Sequence, residues 1–396
     1  MRLFLTCGLL FSCFLSKAQV WNQLADFTGT ARDDASTFTI NNKVYCGLGL
    51  DAGFSYTSDI KVFDLATETW SDGVNLPIGE ERQYANGFSH QGKGFIFGGI
   101  NGAADYLSDL WKFNPTNNSW SSLPDLPSTG RAGAVCFVLV DTFYCVGGKT
   151  DGGIISNEVW AFDLVNEVWV QKGNLPFDGI WRGISFTWNN SGIVGLGKLN
   201  NGNLNTGCYQ YSPSSDSWQS ITQLNLTPAT YSMFSQIGNY GFVYGGVLSD
   251  LSYSNQFTRI DLDTWETTSL NPFPAEARRG GLGFVDNTDL YVSTGVSALT
   301  RLNETWKASS VLGLNDGNSL NGIRIYPNPV KNELSIQAEF PFEMIEIYTI
   351  SGNLVERIQI NATFIEIPLQ LDNGFYLVKF KSETAEVVKR ICVSNE

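Results

Sequence analysis

The stretch RAGAVCFVLVDTFYCVGGKTDGGIISNEVWAFDLVNEVW, residues 131 to 169, decides the fold. Arg131 opens the run AGAVCFVLV, Val140-Asp141 supplies a turn, and TFYCVGG returns. NEVWAFD reads as a third strand and the segment centred on Trp169 as a fourth. Short runs rich in β-branched and aromatic residues, bounded by turn residues, are strands. Working outward, the unit recurs. Tryptophan returns at Trp21, Trp70, Trp120, Trp169, Trp218 and Trp265, at intervals of 49, 50, 49, 49 and 47. Glycine returns at Gly49, Gly99, Gly148, Gly197, Gly246 and Gly295, at intervals of 50, 49, 49, 49 and 49. Two markers in step establish a repeat. One four-stranded unit cannot bury both its faces, so neighbours must pack face to face around an axis. The expected class is all-β, a six-bladed β-propeller of four-stranded blades.

The ends of the array set the blade count. The last unit runs from Arg278 through Gly295 to NETWKA, where Trp306 aligns with Trp111 and Trp160 in the third strand. No fourth-strand tryptophan follows it. Trp21 lies eleven residues before Arg32, as Trp120 lies eleven before Arg131. The N-terminal segment is therefore expected to complete the last blade and close the ring, leaving no open edge at the seam. In the first unit Asn41-Asn42 separates STFTI from KVYCG, a two-residue turn suited to a tight hairpin.

These residues resemble the kelch-repeat family over about residues 20 to 308. The resemblance rests on the double glycines Gly98-Gly99, Gly147-Gly148 and Gly245-Gly246, the third-strand aromatics Phe63, Phe113, Phe162 and Tyr211, and the six tryptophans. Leu48, Leu196 and Thr294 depart at the first glycine of the pair, and Ile260 stands in place of an aromatic.

Residues 1 to 18 carry Arg2, the apolar run LFLTCGLLFSCFL and the small-x-small ending Ser16-Lys17-Ala18, the pattern of a signal peptide. Its apolar core is too short to span a membrane, and no other segment approaches the roughly 18 apolar residues a span requires. The propeller is expected over 19–308, a linker over 309–322 and a small β-sandwich over 323–396. In that last region IYPNP (Ile325 to Pro329), IYTISGNLV (Ile347 to Val355), NGFYLVKF (Asn373 to Phe380) and VVKR (Val387 to Arg390) resemble the C-terminal sorting domain of the Bacteroidota type IX secretion system. The resemblance implies the type IX machinery as a partner, passage through the outer membrane, and a propeller secreted or held at the cell surface.

A net charge of -14 argues against nucleic acid, whose phosphates require a basic face. His90 is the one histidine in the chain, so a histidine-based metal site or catalytic triad is excluded, and neither cofactor nor metal is expected. Cys136 and Cys145 face each other if the Val140-Asp141 turn is right, and could be linked or remain thiols.

Five arginines, Arg32, Arg82, Arg131, Arg182 and Arg278, each precede the first strand of a blade. In a propeller they would ring one mouth of the central channel. There they could grip carboxylate oxygens in pairs, or else pair structurally with acidic and carbonyl groups. Asp33, Asp34, Glu80, Glu81, Asp178 and Glu276 share these loops, as a charge-balanced rim or as proton-transfer groups. Tyr56, Tyr84, Tyr106, Trp181 and Tyr253 could stack on sugar faces or cap the blades. The reading that follows is a binding protein for a carbohydrate or protein ligand, with Arg32, Arg82, Arg131, Arg182, Arg278, Glu81, Tyr84 and Trp181 as candidate contacts. The alternative is a carbohydrate enzyme of the six-bladed kelch type, similar to sialate mutarotases.

Overall fold

The computed structural model describes residues 19–286, 288–298, 300–309, 311–312, 324–326, 330–349, 353–381 and 386–393. The expected signal peptide, most of the expected linker and residues 327–329 of IYPNP lie outside them. The chain divides into two compact units, one spanning Ala18–Val311 and the other containing Leu312–Glu396. Among the described residues there is no α-helix, and a 3-10 turn occurs at Asp151–Gly153.

Among the described residues six four-stranded antiparallel sheets, with two short two-stranded ones, build the first unit, which is a β-propeller. In the third, Val135–Leu139, Thr142–Val146, Val159–Asp163 and Val168–Lys172 pair in chain order. The last sheet takes Leu282–Val285, Leu290–Ser293 and Thr305–Ser309 from the end of the array. It is completed by Val20–Gln23, with Trp21 opposite Ala308.

A circuit of backbone hydrogen bonds joins each repeat to the next. The N–H of the second glycine in each pair donates to a carbonyl of the following repeat: Gly49 to Arg82, Gly99 to Arg131, Gly148 to Ile180, Gly197 to Ala229, Gly246 to Arg278 and Gly295 to Arg32. These glycines lie at φ between +82° and +109°. A Cβ on Gly49 would fall 2.5 Å from the Asp33 carbonyl oxygen, so the position requires glycine for both conformation and space. The preceding position is also left-handed, and Leu48, Leu196 and Thr294 hold it at φ +54° to +62°.

Aromatic packing fills the gaps between sheets. Phe38 and Tyr45 stack at 4.9 Å and meet Ile96 and Phe113 of the next sheet. Each such ring, fully buried, stabilises by roughly 1.5–3 kcal/mol. The fourth-strand indoles tie the repeats together. Trp120, Trp169 and Trp218 donate to the carbonyls of Val74, Pro124 and Gly173 in the preceding repeat, at 3.0, 2.8 and 3.2 Å. Trp265 departs from this role, lying in a turn at φ +64° before the strand Thr267–Ser269. Thr267 takes the strand position opposite Ile260, which accounts for the short interval of 47.

In the second unit the long strand Glu333–Thr349 pairs along one edge with Leu354–Pro368. Along the other it pairs with Arg324–Tyr326 and Gly374–Lys381, and Glu386–Val393 pairs outside the latter. The ladder with Leu354–Pro368 shifts register between Gln337 and Phe342. Ile336, Ile345, Ile347, Val378 and Phe380 form its core.

Candidate functional site

Arg32, Arg82, Arg131 and Arg278 are at most 1% exposed. Each guanidinium turns into its own repeat. Arg32 pairs with Asp59 at 2.6 Å, Arg131 with Glu158 at 2.9 Å and Arg278 with Glu304 at 2.5 Å. Arg82 pairs with Asp109 at 2.7 Å and also with Glu80. The four also donate to the carbonyls of Leu48, Gly98, Gly147 and Thr294. Asp109, Glu158 and Glu304 accept in addition from the indoles of Trp111, Trp160 and Trp306. These four are thus placed inside the blades and not on the expected rim. The reason is energetic: a buried guanidinium is tolerated where carboxylate and carbonyl oxygens surround it, and each repeat supplies both at fixed offsets.

Arg182 belongs to a different series. The Gly148 N–H donates to Ile180, so Ile180 holds the position that Arg131 holds one repeat earlier. Arg182 follows Arg131 by 51 residues instead of 49, and this offset was visible in the sequence. Its structural equivalents are Asp34, Tyr84, Gly133, Tyr231 and Gly280. All six lie at φ +55° to +61°. Tyr84 donates its N–H to the Asp34 carbonyl at 3.1 Å, Gly133 to Tyr84 at 2.8 Å and Arg182 to Gly133 at 2.9 Å. Tyr231 donates to Arg182 at 3.1 Å, Gly280 to Tyr231 at 3.2 Å and Asp34 to Gly280 at 2.7 Å. The circuit returns to its start, forming a hub. Side chains three repeats apart meet across it: Arg182 pairs with Asp34, and the rings of Tyr84 and Tyr231 are 6.2 Å apart. Two glycines leave room for these side chains. A Cβ on Gly133 would lie 2.6 Å from Trp181 Nε1, and one on Gly280 2.6 Å from Asp34 Oδ1.

The Arg182 guanidinium lies 4.8 Å from the Tyr84 ring centroid and 4.4 Å from that of Tyr231. Arg279 stacks on Tyr231 at 4.5 Å and approaches Asp34 at 3.6 Å and Asp33 at 3.7 Å. Arg301 pairs with Asp33 at 2.6 Å. Three cations therefore meet two carboxyl groups, each only 2% exposed. Burial pushes the Asp34 carboxyl up to about 7, against the pull of Arg182 and with help from neighbouring Asp33. Burial likewise raises the Tyr84 and Tyr231 phenols, and Asp34 adds to both shifts. Trp181 Nε1, Arg182 Nε and Gln83 Oε1 are buried with no hydrogen-bond partner, whereas Arg279 Nη1 and Asp34 Oδ2 face each other at 3.6 Å. Each unpartnered atom costs about 1–3 kcal/mol.

Of the remaining candidates, Trp181 joins the hub, 5.2 Å from Tyr231. Tyr253 accepts from Arg279 at 3.2 Å, and Tyr56 accepts from Gln83 at 3.3 Å. Glu81 instead accepts the Gly79 N–H at 3.3 Å within its own loop. The sequence reading missed Tyr231, Arg279 and Arg301. Tyr231 stands 49 residues after Arg182, so the hub period would have located it. Below the hub the six first strands enclose a chamber of about 320 Å³, with Tyr84, Arg182 and Tyr231 in its lining. His90 ends a first strand, its Nε2 3.0 Å from Asp141 Oδ1 of the next repeat. Cys136 and Cys145 stand directly opposite each other, and both are free thiols. Among the described residues no group of three or more His, Cys, Asp or Glu side chains could hold a metal ion, and no helix is long and apolar enough to cross a membrane.

The KLHDC2/KLHL20/DRC7 Kelch-repeats domain matches residues 10–179 and 75–246. The secretion system C-terminal sorting domain matches residues 324–394. No curated protein matches the chain. Among solved structures, the one titled "Structure of YjhT" is similar, with a TM-score of 0.59 and 17% identity over 71% of this chain and 96% of that one. At that identity the likeness speaks for the fold.

Proposed function

The chain belongs to the Kelch-repeat family and carries a secretion-system sorting domain, and from that premise we propose that it is an exported six-bladed propeller whose hub mouth binds a carbohydrate or protein ligand. The sorting domain implies export to the cell surface or secretion, with the type IX machinery as a partner. Six blades are supported by both backbone circuits, each closing after six repeats. We place the propeller over 19–308 and the sorting domain over 323–396, with residues 1–18 as the signal peptide. The register shift between Gln337 and Phe342 would let the tail sheet fold over as a sandwich.

One observation carries the binding reading. Trp181 Nε1 and Gln83 Oε1, from two different repeats, are left without hydrogen-bond partners beside the hub. Buried donors and acceptors are ordinarily satisfied, and a ligand's hydroxyl or carboxylate oxygens would satisfy these. Tyr56 and Tyr253 beside them offer faces for a sugar ring. The test is a glycan array probed with the full chain and with Trp181→Ala and Arg279→Ala. Loss of at least about tenfold in retention is expected for both, the loss of one good polar or stacking contact. Unchanged retention in both variants would remove the hub from the binding surface.

The enzyme reading draws support from Asp34, whose carboxyl titrates near neutrality beside Arg182 and so could exchange a proton with a sugar. Accelerated anomer exchange of sialic acid, followed by NMR and abolished in Asp34→Asn, would favour it. No acceleration over the buffer rate would leave binding as the function.

A further inference from the structure

The hub ring divides the axis into two compartments. Arg182 crosses to Asp34, while Tyr84 and Tyr231 close on its guanidinium, so their side chains plug the ring. The chamber of about 320 Å³ beneath it is lined by small residues at the start of the first strands: Ala35, Ala85, Ala134, Gly183, Ser232 and Gly281. Arg182 is the one charged residue in that lining. A second hollow of about 240 Å³ shares Thr37, Phe234 and Gly283 with the chamber and continues past Thr39, Gln236 and Val285. Those residues lead to the ends of the first strands, at the face of the strand-one to strand-two hairpins. The channel is therefore blind, stopped by a guanidinium at the hub and entered from the hairpin face.

We propose that this chamber is a second binding site, separate from the mouth, which takes a small carboxylate between a hydroxy acid and a single uronic acid in size. The ligand enters past Phe234, and its carboxylate meets Arg182. The proposal goes beyond the mouth reading and does not rest on it. Arg182 gives one nitrogen to Asp34, while its side chain stays 15% exposed and lines the chamber, so the rest of the guanidinium fork can meet an incoming oxygen. Volume sets the size limit: at about 30 Å³ per water the chamber holds roughly ten, the bulk of a single sugar acid. Asp33, Arg182, Arg279, Tyr84 and Tyr231 are the titratable and charged groups that face Asp34. An anion arriving beside Asp34 favours its protonated form, so binding takes up a proton and tightens as pH falls through 7.

The test is calorimetric titration of the full chain with D-glucuronate and L-lactate, with D-glucose as the neutral control, at pH 6 and pH 8. At least one carboxylate is expected to saturate, with glucose at least about tenfold weaker and affinity a few-fold lower at pH 8. Phe234→Trp, which narrows the neck shared by the chamber and the second hollow, away from the hub pair, should weaken binding by at least about tenfold, as should Arg182→Gln. Should Arg182→Gln fail to fold, Phe234→Trp decides. Absence of saturable carboxylate binding up to about 10 mM, weaker than a single strong contact would give, overturns the proposal. So does binding that survives Phe234→Trp.

Discussion

Two sets of residues follow the same 49-residue beat and use it in opposite ways. Arg32, Arg82, Arg131 and Arg278 repeat their identity, and each ends in the same buried bond to a carboxylate and a carbonyl. The hub positions Asp34, Tyr84, Gly133, Arg182, Tyr231 and Gly280 repeat their backbone angle and their hydrogen bond while the side chain changes almost every time. Where every repeat faces the same neighbours, one residue solves the packing problem and recurs. At the axis the six positions face one another, so identical side chains would collide or repel, and only a mixed set can fill the ring. A recurring residue here signals construction, and a recurring conformation with varied residues signals a site.

That contrast can be broken by mutation. The largest effect is expected from Arg82→Met, which leaves Asp109 and Glu80 without their cation. About 3 kcal/mol of stability should be lost by urea denaturation, toward the lower end for a broken buried pair because Asp109 keeps some water contact. A loss below about 1 kcal/mol would mean the blade arginines are not structural, since a surface pair is worth no more. Gly280→Val should follow, at about 2 kcal/mol, because a side chain at φ +61° is strained and its Cβ meets Asp34. If it is tolerated, the hub angle is not required.

The pH dependence sharpens the comparison further. Asp34 binds its proton more tightly folded than unfolded, where an aspartate titrates near 3.9. Between about pH 4 and pH 7 the folded state therefore holds the extra proton, and stability falls as pH rises. Asp34→Asn should flatten the difference between pH 5 and pH 7 by roughly 1–2 kcal/mol in paired denaturation curves. An unchanged slope would mean the carboxyl is ionised throughout that range. The smallest effect is expected at Glu81, outside both sets. Glu81→Gln should shift stability by less than about 0.5 kcal/mol.

The fold was largely legible because its signals are local and periodic. The second glycine of each pair recurs since only glycine fits beneath the neighbouring carbonyl, and most of the tryptophans recur since each indole spans to the preceding repeat. Trp265 misled for a simple reason: it keeps the residue but sits two places early, in a turn. The site was legible only in part. Tyr84, Arg182 and Trp181 lie at the hub, and Arg182 was grouped with the wrong arginines because residue type was read before register. Tyr231, Arg279 and Arg301 gave no signal by type, and their roles arise from what lies across the axis.

By itself the sequence determined the beat, the four-stranded unit, the N-terminal strand that completes the last sheet and the sorting tail, because each follows from contacts within a repeat or between neighbours in the chain. Tertiary structure alone decided which guanidinium groups are sealed in the blades and which reaches the hub. The blade and hub positions stand two residues apart, with a left-handed backbone turn at the hub residue, and the partner that fixes each one's charge and burial lies up to three repeats away. No interval in the chain records that distance.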